Sequence, residues 1–221
     1  IETKNFTWGS SFNISFNKNK VLQLSEGQEN ILSAVSWTGD WNGTYLYITK
    51  VGQPVSAFYG FVWDGNYQYD DFNQLADGSY VLKTNVPANG NTRESIQPGD
   101  IKYVDQNNDG VVNDQDLVVI GNPIPKHIGG FSNFFKYKGI TLDVFFQWSY
   151  GNDVFNANRI IFEGNATSRS INQFASYSDR WTPENQSNTL FRVGGYGPRG
   201  VYSSRTIEDA SFLRLKSLQL S

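Results

Sequence analysis

The sequence predicts an all-β fold whose antiparallel strands belong to a transmembrane β-barrel with long extracellular loops. The first observation is that residues 140–150 alternate between apolar and polar side chains, with Phe145 as the exception. Because successive side chains of a strand point to opposite faces, one face of this strand suits an apolar medium and the other suits water. The run is long enough to cross a bilayer as a tilted strand. Trp148 and Tyr150 lie at one end, where a membrane barrel places its aromatic girdle.

The second observation is that the same alternation recurs near the start of the chain. Every odd position from Thr7 to Asn17 is small or polar. The even positions are Phe6, Trp8, Ser10, Phe12, Ile14 and Phe16, and all of these except Ser10 are large and apolar. Uncharged Asn, Ser, Thr and Gly suit the wall of a wet lumen. A single strand of this kind also occurs in soluble β-sandwiches, so it is the repetition that favours a membrane protein.

Composition supplies the third observation. The 221 residues include 16 Phe, 12 Tyr and 6 Trp but only 18% charged residues, which suits β-structure with long polar loops. The absence of Cys excludes disulfides, thiol nucleophiles and Cys-bound metals. The net charge of −3 comes with no basic stripe, so no nucleic-acid partner is expected. No apolar run is long enough for a transmembrane helix. With no Met and with Ile1 leading straight into a strand pattern, we expect a fragment of a longer protein.

The alternating segments predict the elements in order, and no helix of useful length is expected beyond a short one over 170–177. Strands are predicted over residues 6–24, 45–50, 57–63, 80–84, 126–137, 140–150 and 211–220. Between them lie segments rich in Gly, Asn, Asp and Ser, chiefly 64–78, 87–98 and 151–202, which predict loops.

The clearest hairpin joins 126–137 to 140–150 through the turn Lys138-Gly139, where Gly139 can adopt the positive φ that a two-residue turn needs. This register places Phe131 opposite Phe146 on the apolar face. It also places Asn133 on that face, where it interrupts the apolar band. Membrane barrels of bacteria have short periplasmic turns and long external loops. The tight turn is therefore predicted to be periplasmic, and the long segments on either side of the hairpin extracellular.

A twelve-residue segment from 105 to 116 matches the spacing of a calcium loop. Oxygen donors stand at loop positions 1, 3, 5, 9 and 12, the backbone carbonyl would serve at position 7, and Gly110 stands at the sharp turn. The predicted ligands are Asp105, Asn107, Asp109, Val111, Asn113 (through water) and Asp116. Ca²⁺ wants six to eight oxygens, and a loop this tight can supply them alone.

The calcium prediction has an alternative, because the match departs from the full motif. Asp116 at position 12 is shorter than the usual Glu, and the flanks look like strands rather than helices. An Asn/Asp-rich turn without metal would have the same sequence. If the loop binds Ca²⁺, we expect a structural role in an exposed loop with little core of its own.

Catalytic patterns are weak, so no enzyme is predicted. His127 is the only histidine, and its place at the start of a strand favours a structural or rim role. The carboxylate pairs Asp70-Asp71 and Glu208-Asp209 resemble a glycosidase pair only in composition. Aromatic residues of the loops are candidates either for stacking on sugar rings or for loop packing: Trp37, Trp41, Tyr45, Phe58, Tyr59, Trp63, Tyr67 and Tyr69.

An ordered series of motifs covers nearly the whole chain and resembles the SusC/RagA-type TonB-dependent outer-membrane transporters of Bacteroidetes. The motifs are VGQP at 51–54, FYGF at 58–61, DG at 64–65, PGDIKY at 98–103, IGNP at 120–123, GGF at 129–131, FFQWSYGND at 145–153, RWTPEN at 180–185 and IEDASFLR at 207–214.

The resemblance implies a barrel of about 22 strands with a plugged lumen, in the outer membrane of a Gram-negative bacterium and in contact with membrane lipid. It implies import of glycans or peptides captured by a SusD-like surface lipoprotein, driven by TonB through an N-terminal part. Residues 1–221 are expected to be one partial barrel that lacks the plug and the final strands. Two rivals stay open: a soluble glycan-binding β-sandwich stabilised by calcium, and a fragment of a secreted glycosidase.

Overall fold

The computed structural model describes residues 1–36, 41–164, 171–198 and 200–221. Its strands, in chain order, are β1 (Phe6–Phe16), β2 (Asn30–Val35), β3 (Thr44–Lys50), β4 (Ala57–Gly60), β5 (Trp63–Asn66), β6 (Phe72–Gln74), β7 (Tyr80–Leu82), β8 (Ile101–Tyr103), β9 (Val118–Gly121), β10 (His127–Tyr137), β11 (Ile140–Tyr150), β12 (Asp153–Phe155), β13 (Ile207–Asp209) and β14 (Phe212–Leu220). The only α-helix in these ranges is α1 (Asn158–Phe162), and 3-10 turns lie at Ser25–Gly27, Tyr69–Asp71, Asp114–Asp116, Ala175–Asp179 and Ser204–Thr206.

The four longest strands form one antiparallel sheet in the order β1-β10-β11-β14. Strands β1, β10 and β11 each have 11 residues and β14 has 9. Phe131 pairs with Phe146 and Asn133 with Val144, which confirms the register predicted for the hairpin. In the turn, Lys138 has φ 47° and Gly139 has φ 91°, so both central residues take the positive φ of the favoured two-residue hairpin turn.

The connections of this sheet differ greatly in length at its two ends. Strands β10 and β11 are joined by the tight turn at one end, whereas residues 17–126 join β1 to β10 and residues 151–211 join β11 to β14 at the other end. This arrangement of short turns and long loops is the one typical of bacterial membrane barrels.

The two long connections fold into shared structure, which we call the lobe (residues 17–126 and 151–211). It contains the sheet β2-β3-β4-β9 and three two-stranded sheets, β5-β8, β6-β7 and β12-β13. One core cluster combines Trp41, Leu46 and Phe58 from the first connection with Ile160 and Tyr202 from the second. A second cluster combines Phe61, Ile101, Tyr103 and Val112 with Phe191. The segments predicted to be loops are therefore folded around buried side chains.

Backbone hydrogen bonds also join the two connections. Phe61 donates to the carbonyl oxygen of Tyr202 at 2.9 Å, and Ser204 donates to that of Phe61 at 2.9 Å. Gly60 permits this approach, because a Cβ at that position would lie 2.5 Å from the Tyr202 carbonyl oxygen.

The predicted all-β antiparallel class is confirmed, but several boundaries were wrong. The strand predicted over 6–24 ends at Phe16, because the run Asn17 to Lys20 has no apolar alternation and Val21 instead hydrogen-bonds with residues 52 and 53 of the lobe. The segment 57–63 is two strands, β4 and the start of β5. Of the helix predicted over 170–177, only the 3-10 turn Ala175–Asp179 is found, and residue 170 lies outside the described residues. No helix in the described ranges is both long and apolar enough to cross a membrane.

Candidate functional site: a one-sided sheet and an acidic loop

One face of the four-stranded sheet, here called the outer face, is almost entirely apolar. The pairing brings Phe12, Phe131, Phe146 and Leu215 onto it in one row across the four strands. Leu213 is 73% exposed and Phe12 is 61% exposed, and no other described element covers the centre of this face. Exposure of that much apolar surface to water is unfavourable by about 25 cal/mol per Å². The outer face therefore needs an apolar covering that is not part of the described chain.

The opposite face, here called the inner face, is mainly polar. Its polar residues include Thr7, Ser11, Asn13, Ser15, Ser132, Thr141, Asp143, Gln147, Ser149, Arg214 and Gln219, and its large apolar residues are Ile128, Phe134, Phe145 and Phe212. Phe145, the exception to the predicted alternation, lies on this face across Gly130, where an added Cβ would be only 3.0 Å from its ring. The ring fills the space that the missing glycine side chain leaves, so it does not contradict a wet inner wall.

Asn133 interrupts the apolar band of the outer face, and the structure shows how it is accommodated. The residue is only 8% exposed, and its side-chain oxygen accepts a hydrogen bond from Trp8 Nε1 at 3.1 Å. Trp8 in turn stacks on Phe135. A hydrogen bond of this kind removes much of the cost of placing an amide in an apolar medium. The sequence analysis missed this pair because it did not predict that β1 lies beside β10.

At the loop end of the outer face, His127 belongs to an aromatic cluster. Its Nδ1 accepts a hydrogen bond from Trp148 Nε1 at 3.1 Å, its ring stacks on Tyr150 at 5.0 Å, and Phe16 lies 5.5 Å away. Among the described residues, no carboxylate or nucleophile is hydrogen-bonded to His127. Tryptophan and tyrosine at this level are typical of a membrane–water interface. These contacts give His127 a structural role, and the rim role that the sequence analysis offered beside it stays a prediction.

The acidic loop has the tight turn that its sequence predicts. The Asp105 carboxylate accepts the backbone amides of Asn108 (2.7 Å) and Gly110 (2.7 Å), which curls the loop around it. Asn108 and Gly110 both take positive φ, 61° and 89°. Asn107 and Asp109 each accept one backbone amide two residues further on, at 2.9 Å. Asp105, Asn107, Asp109 and Val111 therefore lie along one turn, whereas Asn113 and Asp116 belong to the 3-10 turn that follows it.

Asp116 has a different place in the loop from the other donors. It is completely buried, and its two carboxylate oxygens accept the amides of Gln106 (2.7 Å) and Asn113 (2.8 Å). It therefore closes the base of the loop whether or not a metal is bound. Val112, which belongs to the same loop, is 2% exposed and is part of a core cluster. The expectation that this loop has little core of its own was wrong.

Among the residues that the structure describes, no three His, Cys, Asp or Glu side chains come together as a metal-ligand cluster. Asp105, Asp109 and Asp116 are spread around the loop, so a cation there would depend on the amide and carbonyl oxygens of Asn107, Asn113 and Val111 as well. Ca²⁺ accepts such mixed oxygen donors. The donor chemistry fits the ion.

The other candidate residues have structural partners. Asp71 accepts the amide of Gln68 and lies 3.5 Å from Lys102, while Glu208 lies 3.6 Å from Arg159. Burial is the main cause that raises the pKa of Tyr67, which donates to the Pro87 carbonyl. Burial also raises the pKa of the Asp100 carboxyl against the opposing effects of the Gln97 amide and the Arg192 guanidinium. None of these groups pairs with a second one in a catalytic arrangement within the described ranges.

Three of the loop aromatics are core residues, whereas Tyr59, Trp63 and Tyr69 are half-buried. Trp41, Phe58 and Tyr67 are at most 4% exposed, so they cannot present their faces to a sugar. Tyr45 is exposed on β3. Trp37 lies outside the described residues. Packing, rather than sugar stacking, is the role that the structure supports for the three buried rings.

Comparison with known proteins extends over the whole chain, although no family model matches it. The chain is 32% identical over 225 residues to TonB-dependent receptor P26 of Formosa agariphila, which covers 100% of the chain and 20% of the relative. It is 24% identical over 222 residues to TonB-dependent receptor SusC of Bacteroides thetaiotaomicron, covering 100% of the chain and 19% of the relative. The chain thus spans about a fifth of the length of these curated relatives.

Solved structures show the same fold. The chain matches the structure of the RagAB peptide transporter with a TM-score of 0.67 at 22% identity, covering 100% of this chain and 20% of that one. It matches the RagAB peptide importer in the 'open-open' state with a TM-score of 0.65, covering 99% and 20%. Over its whole length the chain is therefore similar in sequence to one part of the TonB-dependent receptors, SusC among them, and it shares the fold of the corresponding part of the RagAB structures.

Proposed function

We propose that this chain is a segment of the wall and external loops of an outer-membrane β-barrel of about 22 strands. The observation that carries the proposal is the sheet with an apolar outer face, a polar inner face and long connections at one end only. Lipid would cover the outer face, and the inner face would line the lumen. The lobe would then lie outside the cell and the Lys138-Gly139 turn in the periplasm.

The longer protein would be an importer of glycans or oligopeptides rather than an enzyme, and this segment would do no chemistry itself. A SusD-like surface lipoprotein would capture the cargo, and TonB would supply the energy through another part of the protein. The relatives support this class of function: one is named SusC, and the matching solved structures are described as a peptide transporter or importer. The structural partners of Asp71 and Glu208 also argue against hydrolysis.

A pair of neighbouring substitutions in the parent protein tests the membrane position. Phe146 lies on the outer face and Gln147 on the inner face of β11. Phe146→Arg should reduce the amount of folded protein that fractionates with the outer membrane, because an arginine on the lipid side near the midplane costs about 2–4 kcal/mol. Gln147→Arg should cost much less, because its side chain would remain in water and only the repulsion from Arg214, opposite it on β14, acts against it.

The rival soluble sandwich makes the opposite prediction. It requires a second protein layer over Phe12, Phe146 and Leu213, and a parent protein that is monodisperse in water without detergent. Recovery of the wild-type parent in the soluble fraction, or equal tolerance of both arginine substitutions, would overturn the transporter proposal. A hydrolytic activity lost on replacement of Asp70-Asp71 or Glu208-Asp209 would instead support the glycosidase rival.

We propose further that the acidic loop binds Ca²⁺ as a structural ion through Asp105, Asn107, Asp109, Val111, Asn113 and Asp116. The support is the continuous turn of oxygen donors around Gly110 and its position against the core residue Val112. Bound Ca²⁺ would offset the repulsion between the carboxylates and hold the exposed part of the turn.

Calcium binding is tested on the parent protein by thermal unfolding with added Ca²⁺ and with a chelator. Ca²⁺ should raise the unfolding temperature of the lobe, because a ligand that binds only the folded state stabilises it. Asp105→Ala should abolish the response. Asp114→Ala is the matched control, since this residue of the same loop is outside the donor set. No Ca²⁺ response in the wild type, or an unchanged response in Asp105→Ala, would refute the proposal.

A further inference from the structure

A pocket lies where strands β1 and β10 separate as they leave the sheet. It has a volume of about 400 Å³, and we call it the rim pocket. Its walls are the segment 16–19, which follows β1, the segment 122–126, which precedes β10, and Pro54 from the lobe. The lining combines lysines and asparagines with four apolar residues, which are Phe16, Pro54, Ile124 and Pro125. The pocket therefore lies immediately beyond the aromatic cluster of Phe16 and His127.

Hydrogen bonds outside the pocket hold both walls in place. Asn19 accepts the amide of Val55 at 3.0 Å, which ties the first wall to the lobe. The backbone amide of Asn122 donates to the Asp153 carboxylate at 2.7 Å, and the side-chain oxygen of Asn122 accepts the backbone amide of Ile124 at 3.0 Å. The rim pocket is therefore lined by the end of β1 and by the first connection, and Asp153 of the second connection supports it from outside.

Two lysines give this pocket a positive charge. Lys18 and Lys126 both line it. The stem of Lys126 lies against Gly151, where an added Cβ would be 2.7 Å from its Cδ, so the glycine allows the side chain to lie flat. Within the described part of the chain, neither ammonium group is within 4 Å of a carboxylate. Hydrogen bonds from Ser211 lower the pKa of the Asp209 carboxyl, and the charge of Lys126 lowers it further. Asp209 is therefore an acidic group near Lys126.

An apolar groove of about 360 Å³ lies lower on the outer face, between Phe12, Phe131, Phe146, Trp148 and Leu213. Phe12 and Phe16 are four residues apart on β1, so the groove and the rim pocket are separated by about 13 Å along the strand. The rings of His127, Trp148 and Tyr150 occupy the level between them. An apolar groove below two lysines is chemically complementary to a lipid, because the groove suits an acyl chain and the lysines suit an anionic headgroup.

We propose that the rim pocket and the apolar groove together bind one lipid of the surrounding bilayer, with its phosphate between Lys18 and Lys126 and an acyl chain in the groove. This inference rests on the proposed membrane position and adds a specific lipid site to it. Lysine binds phosphate as a point charge. Bound lipid would link the barrel wall to the first connection of the lobe.

The test uses the full parent protein, purified in detergent, and measures lipid binding by native mass spectrometry. Three probes separate the chemistry: phosphatidic acid carries acyl chains and a phosphate, diacylglycerol carries the same chains alone, and inorganic phosphate lacks chains. Phosphatidic acid should bind more tightly than either of the others. Lys18→Gln with Lys126→Gln should weaken its binding by about fivefold per lysine, while diacylglycerol binding should remain unchanged.

The matched control is the double variant Lys4→Gln with Lys138→Gln, which changes two exposed lysines at the opposite end of the sheet. This variant should bind phosphatidic acid more tightly than diacylglycerol, as the wild type does. Equal losses in both double variants, equal binding of phosphatidic acid and diacylglycerol, or full competition by inorganic phosphate would overturn the lipid site. Outer-membrane fractionation is scored in the same samples. A parent that fractionates with the outer membrane but shows no preference refutes this site alone, whereas a soluble parent refutes the membrane position as well.

Discussion

Gly129 shows how one missing side chain organises the outer face. A Cβ added at this position would lie 2.1 Å from Trp148 Cζ2 and 2.6 Å from the Asn13 carbonyl oxygen. The indole of Trp148 therefore crosses β10 in the space above Gly129. From there it donates to His127 and stacks on Phe12 at 5.5 Å. The glycine permits the aromatic cluster at the rim.

Gly129→Ala should destabilise the parent protein by about 1–3 kcal/mol, because the added methyl group forces the indole and a neighbouring strand apart. Gly9→Ala is the control, since its Cβ would meet only Phe134 at 3.8 Å, an ordinary contact. The unfolding temperature in detergent measures both effects. Equal unfolding temperatures for the two variants would contradict the packing described for Trp148.

Glu163 is the centre of a buried ionic network in the lobe. Its Oε2 lies 2.9 Å from Arg205 Nη2 and 2.8 Å from Arg159 Nε. Arg205 is 4% exposed and lies over the ring of Phe191. Burial and the charge of Arg159 lower the pKa of Arg205, and the Glu163 carboxylate opposes that effect. The carboxylate therefore compensates a cation that has little contact with water.

Glu163→Gln should destabilise the lobe by about 3–5 kcal/mol, because it leaves the buried charge of Arg205 without its counterion. Glu208→Gln removes the same charge from a side chain that is 40% exposed and 3.6 Å from Arg159, and it should cost less than about 1 kcal/mol. Chemical denaturation monitored on the lobe gives both values. A similar small cost for the two changes would show that Glu163 does not compensate Arg205.

At the level of elements, local turn chemistry was predictable and distant pairing was not. The hairpin of β10 and β11 follows from the alternation and from Gly139, because a two-residue turn leaves only one register. The pairing of β1 with β10 joins segments separated by residues 17–126, and no local signal in the sequence encodes it. Strands such as β6 and β8, with three residues each, are too short to show a period.

Gly139→Ala should destabilise the parent barrel by about 1–2 kcal/mol, because a side chain at φ 91° is strained. Nothing lies within 4 Å of the added Cβ, so the cost is conformational and not steric. Lys138→Asn should preserve stability, since asparagine tolerates the positive φ that Lys138 already adopts. The midpoint of thermal unfolding distinguishes the two, and a silent Gly139→Ala would contradict the turn geometry.

At the scale of the whole molecule, the calcium-type loop and the lobe show the limits of sequence analysis in different ways. The turn at Asp105 to Gly110 was predictable, because its donors and glycine have fixed spacing. The burial of Asp116 was not, since it depends on how the loop packs against the rest of the lobe. Likewise, the loop aromatics could be identified as a class, but only the fold separates buried Trp41 from exposed Tyr45.

The structure further implies that the two long connections are one folding unit. Phe58 lies in the core cluster that joins Leu46 of the first connection to Ile160 and Tyr202 of the second. Because it is 2% exposed, Phe58→Ala should remove about 3–5 kcal/mol of stability by leaving a cavity. Loss of this core should loosen the second connection as well, although the substitution is in the first.

Protease added to intact cells that carry the parent protein measures this coupling, because the lobe is proposed to lie outside the cell. Phe58→Ala should increase cleavage within both residues 17–126 and residues 151–211, because opening of the shared core exposes backbone on each side of it. Val119→Ala, at an exposed position of β9 in the same sheet, should leave the cleavage pattern unchanged. Cleavage confined to the first connection would show that the two connections fold separately, and that their shared clusters are contacts between independent units.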